Sequence, residues 1–315
     1  MSPRDDSAAG LPTAGQETQR RGFGMALMVA SSLVISFGGV LVRAMEGADA
    51  LQINFYRALA LIGAVSVLLV VQYRGETIAR VRGIGRPGLF GGVILGAAGV
   101  CFMQALTTTT VANTLFILSS IPFITAALAR LFLGERLTRA TLITMVVASA
   151  GVGVMVLEGF EAKSLYGNLM ALATAICFSS FAVTVRRHRG VDMLPTLLIS
   201  AALIALVSLI TRWDDLGISW HDMVLCFLYG GLLSGFANWT FIIASRHLVA
   251  AEVTLFMLLE FSLGPLWVWL FIGEVPAALT LAGGALVMTA VALRAGLELG
   301  HGRQLLKRGR LPGPP

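Results

Sequence analysis

The chain has 315 residues, 57% of them apolar and only 13% charged, with 35 glycines and a mean hydropathy of +0.83. Soluble domains carry about 25% charged residues and about 45–50% apolar residues with glycine included. A soluble enzyme, a nucleic-acid binder and a disordered adaptor are therefore excluded, and an all-α integral membrane protein is expected. The net charge of +6 does not demand an anionic partner, because the placement of the basic residues explains it as topology.

Windows of about 20 residues, the length that crosses a bilayer, predict ten transmembrane helices. In chain order they cover 22–42, 51–72, 87–106, 110–132, 139–157, 165–185, 194–211, 222–245, 250–272 and 277–296, between an N-terminal tail at 1–21 and a C-terminal tail at 297–315. Continuous apolar length, rather than alternation over ten residues, argues against a β-barrel. The first span carries Ser32, Ser36, Gly39 and Arg43 on one face, suited to close packing or to a wet cavity. In the second, Arg57 stands about six residues, roughly 9 Å, from the outer end. It either snorkels or pairs with Glu46 or Asp49, or it captures a substrate carboxylate. The third and eighth spans hold Gly92-x-x-x-Gly96 and Gly231-x-x-x-Gly235, spacings that let helix backbones approach closely in lipid, as packing or hinge elements. The sixth offers Phe178 beside Thr174 and Phe181, and the eighth offers Asn238 and Trp239, a hydrogen-bonding amide next to a flat stacking surface.

In the ninth span Glu260 lies close to the helix midpoint, where an ionisable group costs several kcal/mol unless it meets water or a partner. It is either a functional carboxylate or a brace for helix packing near Pro265. Helical spacing puts Phe256, Glu260, Gly264 and Trp267 on one face. A cavity with Phe256, Trp239 and Phe178 near Glu260 is the expected substrate site, with Asn238, Ser36 and Arg57 as further contacts.

Of the 23 Lys and Arg residues, all but five fall on the side that holds both termini; Arg43, Lys163 and Arg212 lie opposite, and Arg57 and Arg130 lie within spans. By the positive-inside rule both termini are cytoplasmic. Glu46, Asp49, Glu158, Glu161, Asp214, Asp215, Asp222 and Glu274 then form an acidic outer rim.

The chain also repeats itself. At a constant offset of 139 residues Gly91, Gly92, Gly96, Phe102, Gly134 and Glu135 meet Gly230, Gly231, Gly235, Phe241, Gly273 and Glu274. Two five-helix repeats follow, 22–157 and 165–296. Five is odd, so the halves are inverted in the membrane, with Gly134-Glu135 inside and Gly273-Glu274 outside. Inverted halves can exchange conformations around a midplane site, which points to alternating access.

The stretches Leu131-Phe132-Leu133-Gly134-Glu135-Arg136 and Leu270-Phe271-Ile272-Gly273-Glu274, with Pro122 ahead of the first, resemble the drug/metabolite transporter superfamily and its EamA-type permeases over about residues 23–296. More narrowly, the chain looks like the aromatic amino-acid exporter branch. The resemblance implies a multi-pass protein of the cell inner membrane that exports amino acids or related metabolites. One departure is that family members often have Glu-Pro in the second half, whereas this chain has Glu260-Phe261 and a proline displaced to Pro265. A helix break one turn lower is the expected consequence.

The favoured reading is a secondary transporter of small organic solutes. A passive channel or scaffold, and a permease for other drugs or metabolites, stay open beside it. A membrane-embedded enzyme is disfavoured, since no Gly-x-Ser-x-Gly or His-Glu-x-x-His motif occurs. No cofactor or metal is expected, because the cysteines and histidines lack ligand spacing. No phosphate-binding Gly-rich Lys motif is present, so transport is downhill or ion-coupled. The expected partners are a small-molecule substrate and membrane lipid, with no nucleic acid. The oligomeric state is open, and a monomer suffices.

Overall fold

The computed structural model describes residues 14–109, 111–157, 165–273 and 275–307, and every regular element among them is a helix. Residues 1–13 and 308–315 of the tails, and Glu158, Glu161, Lys163 and Glu274, lie outside the described residues. The first half comprises α1 (Ala14–Ile35), α2 (Gly38–Arg43), α3 (Ala50–Tyr73), α4 (Thr77–Gly83), α5 (Gly85–Thr108), α6 (Val111–Leu118), α7 (Ile121–Leu133) and α8 (Arg139–Val156). The second comprises α9 (Leu165–Arg187), α10 (Thr196–Thr211), α11 (Trp220–Phe227), a π-helical segment Leu228–Ser234, α12 (Gly235–Ala244), α13 (Ala250–Phe256), α14 (Leu258–Ile272) and α15 (Ala278–Lys307).

Eight of these stretches are long and apolar enough to cross a membrane, while Arg139–Met155 and Thr196–Thr211 are shorter apolar helices. The 16 residues of α10 reach only about 24 Å at 1.5 Å per residue, less than a hydrocarbon core of about 30 Å. The protein is thus an all-helical, multi-pass membrane protein. Large apolar side chains face outward, among them Val70, Phe90, Leu131, Ile143, Leu270 and Leu293, while Met25, Phe181, Phe241, Phe256 and Val287 fill the centre.

Local chemistry sets the helix ends. Asp49 and Gln52 form a reciprocal capping box at the start of α3, and Thr138 and Ser219 cap α8 and α11, satisfying amides that have no intrahelical acceptor. Both Gly-Glu stretches end their helices in the same way. Gly134 and Gly273 adopt φ of 68° and 83°, a left-handed cap that a side chain would strain.

Three predicted spans are interrupted. The first breaks at Ser36-Phe37, the fourth at Ser119-Ser120 with Pro122 in the first turn of α7, and the ninth at Met257. The ninth departs from expectation, because its break is not displaced toward Pro265, which sits inside the continuous helix α14. An internal proline removes one hydrogen bond, here to the Phe261 carbonyl, and apolar helices supported by neighbours absorb that loss.

Glycine governs how closely the helices pack. A Cβ at Gly92 would lie 2.6 Å from Ile199 Cβ and one at Gly96 2.8 Å from Leu203, so both seat α5 directly on α10. In the eighth span the close approach belongs to Gly230, whose Cβ would collide with the Arg57 carbonyl of α3, whereas Gly231 and Gly235 have their nearest neighbours at 3.5 and 3.7 Å. The π-helical segment carries an extra residue per turn and rotates the face by about one position. Gly230→Ala is therefore expected to lower the melting temperature of the detergent-solubilised protein by several degrees and Gly231→Ala to leave it nearly unchanged. The reverse order would contradict this register.

Candidate functional site

A cavity of about 140 Å³ opens near the middle of the bundle between α1, α9, α12 and the α13–α14 junction. Met28, Ile35, Phe178, Phe241 and Met257 give it apolar walls, and Ser31, Ser32, Asn238 and Glu260 supply its polar side chains. Phe178 and Phe241 meet edge to face, with centroids 5.4 Å apart. The irregular turn at Met257, where the Glu260 amide donates to the Met257 carbonyl at 3.1 Å, places Glu260 in the first turn of α14. Among the described residues no donor hydrogen-bonds or ion-pairs with that carboxylate. The serines donate elsewhere, Ser31 to the Ala237 carbonyl at 3.3 Å and Ser32 to the Phe256 carbonyl at 2.9 Å. Asn238 donates to the Ser234 carbonyl at 2.8 Å.

Of the residues singled out from sequence, Glu260, Asn238 and Phe178 come together on this lining. Phe256 does not; it is buried in the core, 1% exposed, and its carbonyl accepts a hydrogen bond from the cavity residue Ser32. Trp239 packs against the core beside Phe236, with centroids 6.1 Å apart. Ser36 accepts a hydrogen bond from Trp267 Nε1 at 2.9 Å, and Trp267 stacks on Phe37 at 4.5 Å. Arg57 pairs with neither Glu46 nor Asp49; it donates to Asn54 Oδ1 at 3.2 Å and lies over the Tyr229 ring, 4.8 Å from its centroid. It remains within electrostatic reach of Glu260. Asp49 pairs instead with Arg212, at 2.5 Å.

Both ends of the bundle are fastened by polar knots. At one end Glu252, in the first turn of α13, takes Arg294 at 3.1 Å and Arg21 at 2.9 Å, and Arg294 also donates to Thr141 Oγ1 at 3.2 Å. Nearby, Glu135 accepts from Arg186 Nε at 2.8 Å and from the Ala250 amide at 3.2 Å, so the turn that Gly134 closes ties α7 to α9 and α13. His247, beside the Glu252 knot, is held below the usual histidine range by burial and then by Arg20, Arg246 and Arg186. At the opposite end the buried Asp222 accepts from the amides of Glu46, Gly47 and Ala48 at 2.9, 3.1 and 3.1 Å. The Glu252 knot was missed in the sequence, where its signal was an acid and a base at the ends of two apolar spans.

Residues 22–157 match the EamA-like transporter family. Over 280 residues the chain is 29% identical to the pseudopaline exporter CntI of Pseudomonas aeruginosa, found in two strains, with 85% of this chain and 94% of the relative covered. It is 27% identical over 196 residues to a protein of Streptantibioticus cattleyicolor named a probable terminal-alkyne amino-acid exporter, covering 60% of this chain and 65% of that one. A solved crystal structure shares the fold, with a TM-score of 0.76 at 17% identity, covering 87% of this chain and 98% of the other. The first of the two Gly-Glu stretches lies within the residues that match the EamA-like transporter family, and the relatives named as exporters are consistent with the drug/metabolite transporter superfamily that both stretches resemble.

Proposed function

We propose that the protein is a secondary transporter that exports small organic solutes, amino acids or related metabolites, by alternating access. The single observation that carries this reading is the cavity, which holds a carboxylate without a protein partner at mid-span, beside a helix break and an aromatic wall. Broken helices that present their termini to a midplane cavity are a common construction for carrier sites. The relatives named as exporters supply the direction and the class of solute. A carrier, rather than an enzyme, is what a transporter family with exporter relatives favours.

The reading takes the chain as ten spans in two inverted repeats, 22–157 and 165–296, with both terminal tails in the cytoplasm and the protein in the cell inner membrane. Helix pairing supports the repeat. Exchanging the halves turns the pairing of α5 with α9 into that of α12 with α1, and turns α5 with α10 into the π-helical segment with α3, while α8 with α15 maps onto itself. The Gly134 turn joins the end fastened by Arg186, and Gly273 closes the end of α14 that packs beside α2. In this proposal Glu260, Asn238 and Phe178 touch the substrate. Phe256, Trp239, Ser36 and Arg57 support them from behind, and Gly92, Gly96, Gly231, Gly235, Pro122 and Pro265 shape the packing that moves.

Purified protein in liposomes, offered a panel of radiolabelled amino acids, should give saturable flux for a subset enriched in apolar and aromatic side chains. Phe178→Ala should weaken aromatic substrates about two- to tenfold more than small aliphatic ones, since ring pairs contribute about 0.5–1.5 kcal/mol beyond buried area. Absence of saturable flux for every solute in the panel would count against the amino-acid reading.

A further inference from the structure

The polar inventory of the cavity is one-sided. A hydroxyl has one hydrogen to donate and two lone pairs to offer, and both serine hydrogens are already committed, Ser31 to the Ala237 carbonyl and Ser32 to that of Phe256. Asn238 spends one of its two amide hydrogens on the Ser234 carbonyl and keeps its oxygen. Glu260 adds carboxylate oxygens that no described residue engages. Among the described residues no cation lines the cavity, and Arg57, the cation within electrostatic reach of Glu260, is held by Asn54 and Tyr229 outside the lining. What is left for a ligand is a cluster of acceptors, one weak amide donor and apolar walls.

An ammonium group matches that inventory, with three donors and a positive charge. A carboxylate does not match. It would face Glu260 with like charge, and it would find a single neutral N–H where it needs several donors. We infer that the cavity recognises the ammonium end of its substrate and does not read a carboxylate, so that a primary amine with an apolar body binds as well as the corresponding amino acid. The inference rests on the transporter reading only in taking this cavity as the substrate site.

Three probes that share one phenyl ring separate the possibilities: L-phenylalanine, 2-phenylethylamine and 3-phenylpropionate. Their binding to the detergent-solubilised protein at pH 8 is measured by isothermal titration calorimetry, because a neutral amine leaks across bilayers and obscures flux. The amine should bind within about threefold of the amino acid, and the acid at least about tenfold more weakly than either, the loss of a charge-assisted hydrogen bond being of that size. In Glu260→Gln the advantage of the amine over the acid should vanish; the comparison in the unaltered protein needs no variant and is independent of how that one folds. Acid binding as tightly as amine, an amino acid preferred over the amine by more than tenfold, or no binding of any probe would each overturn the inference. Amine binding together with no transport of any panel solute would support the inference and defeat the exporter reading alone.

Discussion

Glu260→Gln is expected to insert and fold normally and to lose export, with efflux from loaded liposomes falling by at least about tenfold. The amide keeps the shape of the carboxylate and one acceptor oxygen but removes its charge. Hydrogen bonds to charged groups contribute about 1.5–3 kcal/mol, so a substrate ammonium that relies on this carboxylate loses about 10- to 150-fold in affinity. No described residue compensates, because the carboxylate has no protein partner to begin with. If Glu260 also carries a proton as access alternates, whatever flux survives in the variant becomes independent of pH. A Glu260 that only braces α14 gives a different outcome, with normal efflux and an unchanged pH profile in the glutamine variant.

Removing Arg294 is expected to have the largest effect on stability. The Glu252 and Arg294 side chains are only 4% and 7% exposed, whereas Arg21 is 39% exposed. Removal of one partner of a buried ion pair strands the other charge and typically costs about 3–5 kcal/mol, while replacing both by apolar residues is often neutral. Arg294→Met should therefore lower the unfolding temperature sharply, and adding Glu252→Leu should restore most of the loss, since Arg21 can turn toward water. Thermal unfolding of the two single variants and the double decides it. If the double loses as much as the two singles added together, the groups act independently and the knot does not hold that end of the bundle shut.

Much of the fold was legible because apolar length and helix-ending chemistry are local properties. The capping box of Asp49 and Gln52 and the glycines at positive φ mark helix ends by residue type alone. The site was legible only in part, because helical spacing assumes an unbroken helix. Phe256 and Glu260, four apart, share a face in an ideal α-helix, yet the break at Met257 leaves Phe256 in the core while Glu260 reaches the cavity. The π-helical segment acts similarly in the eighth span, moving the tight contact from Gly231 to Gly230. Glu252 escaped notice for a different reason. Its role depends on Arg21, Thr141 and Arg294, which are 231, 111 and 42 residues away, and no pattern along the chain announces their meeting.

Counterflow measures the central claim most directly. Liposomes containing the purified protein are loaded with an excess of unlabelled substrate and diluted into medium with a trace of the labelled form. An alternating-access carrier returns from each delivery with its site occupied, so labelled solute should accumulate transiently above its external concentration and the initial rate should saturate. Labelled solute that only equilibrates, at a rate proportional to concentration and indifferent to what the liposomes contain, would identify a passive pore and contradict the account.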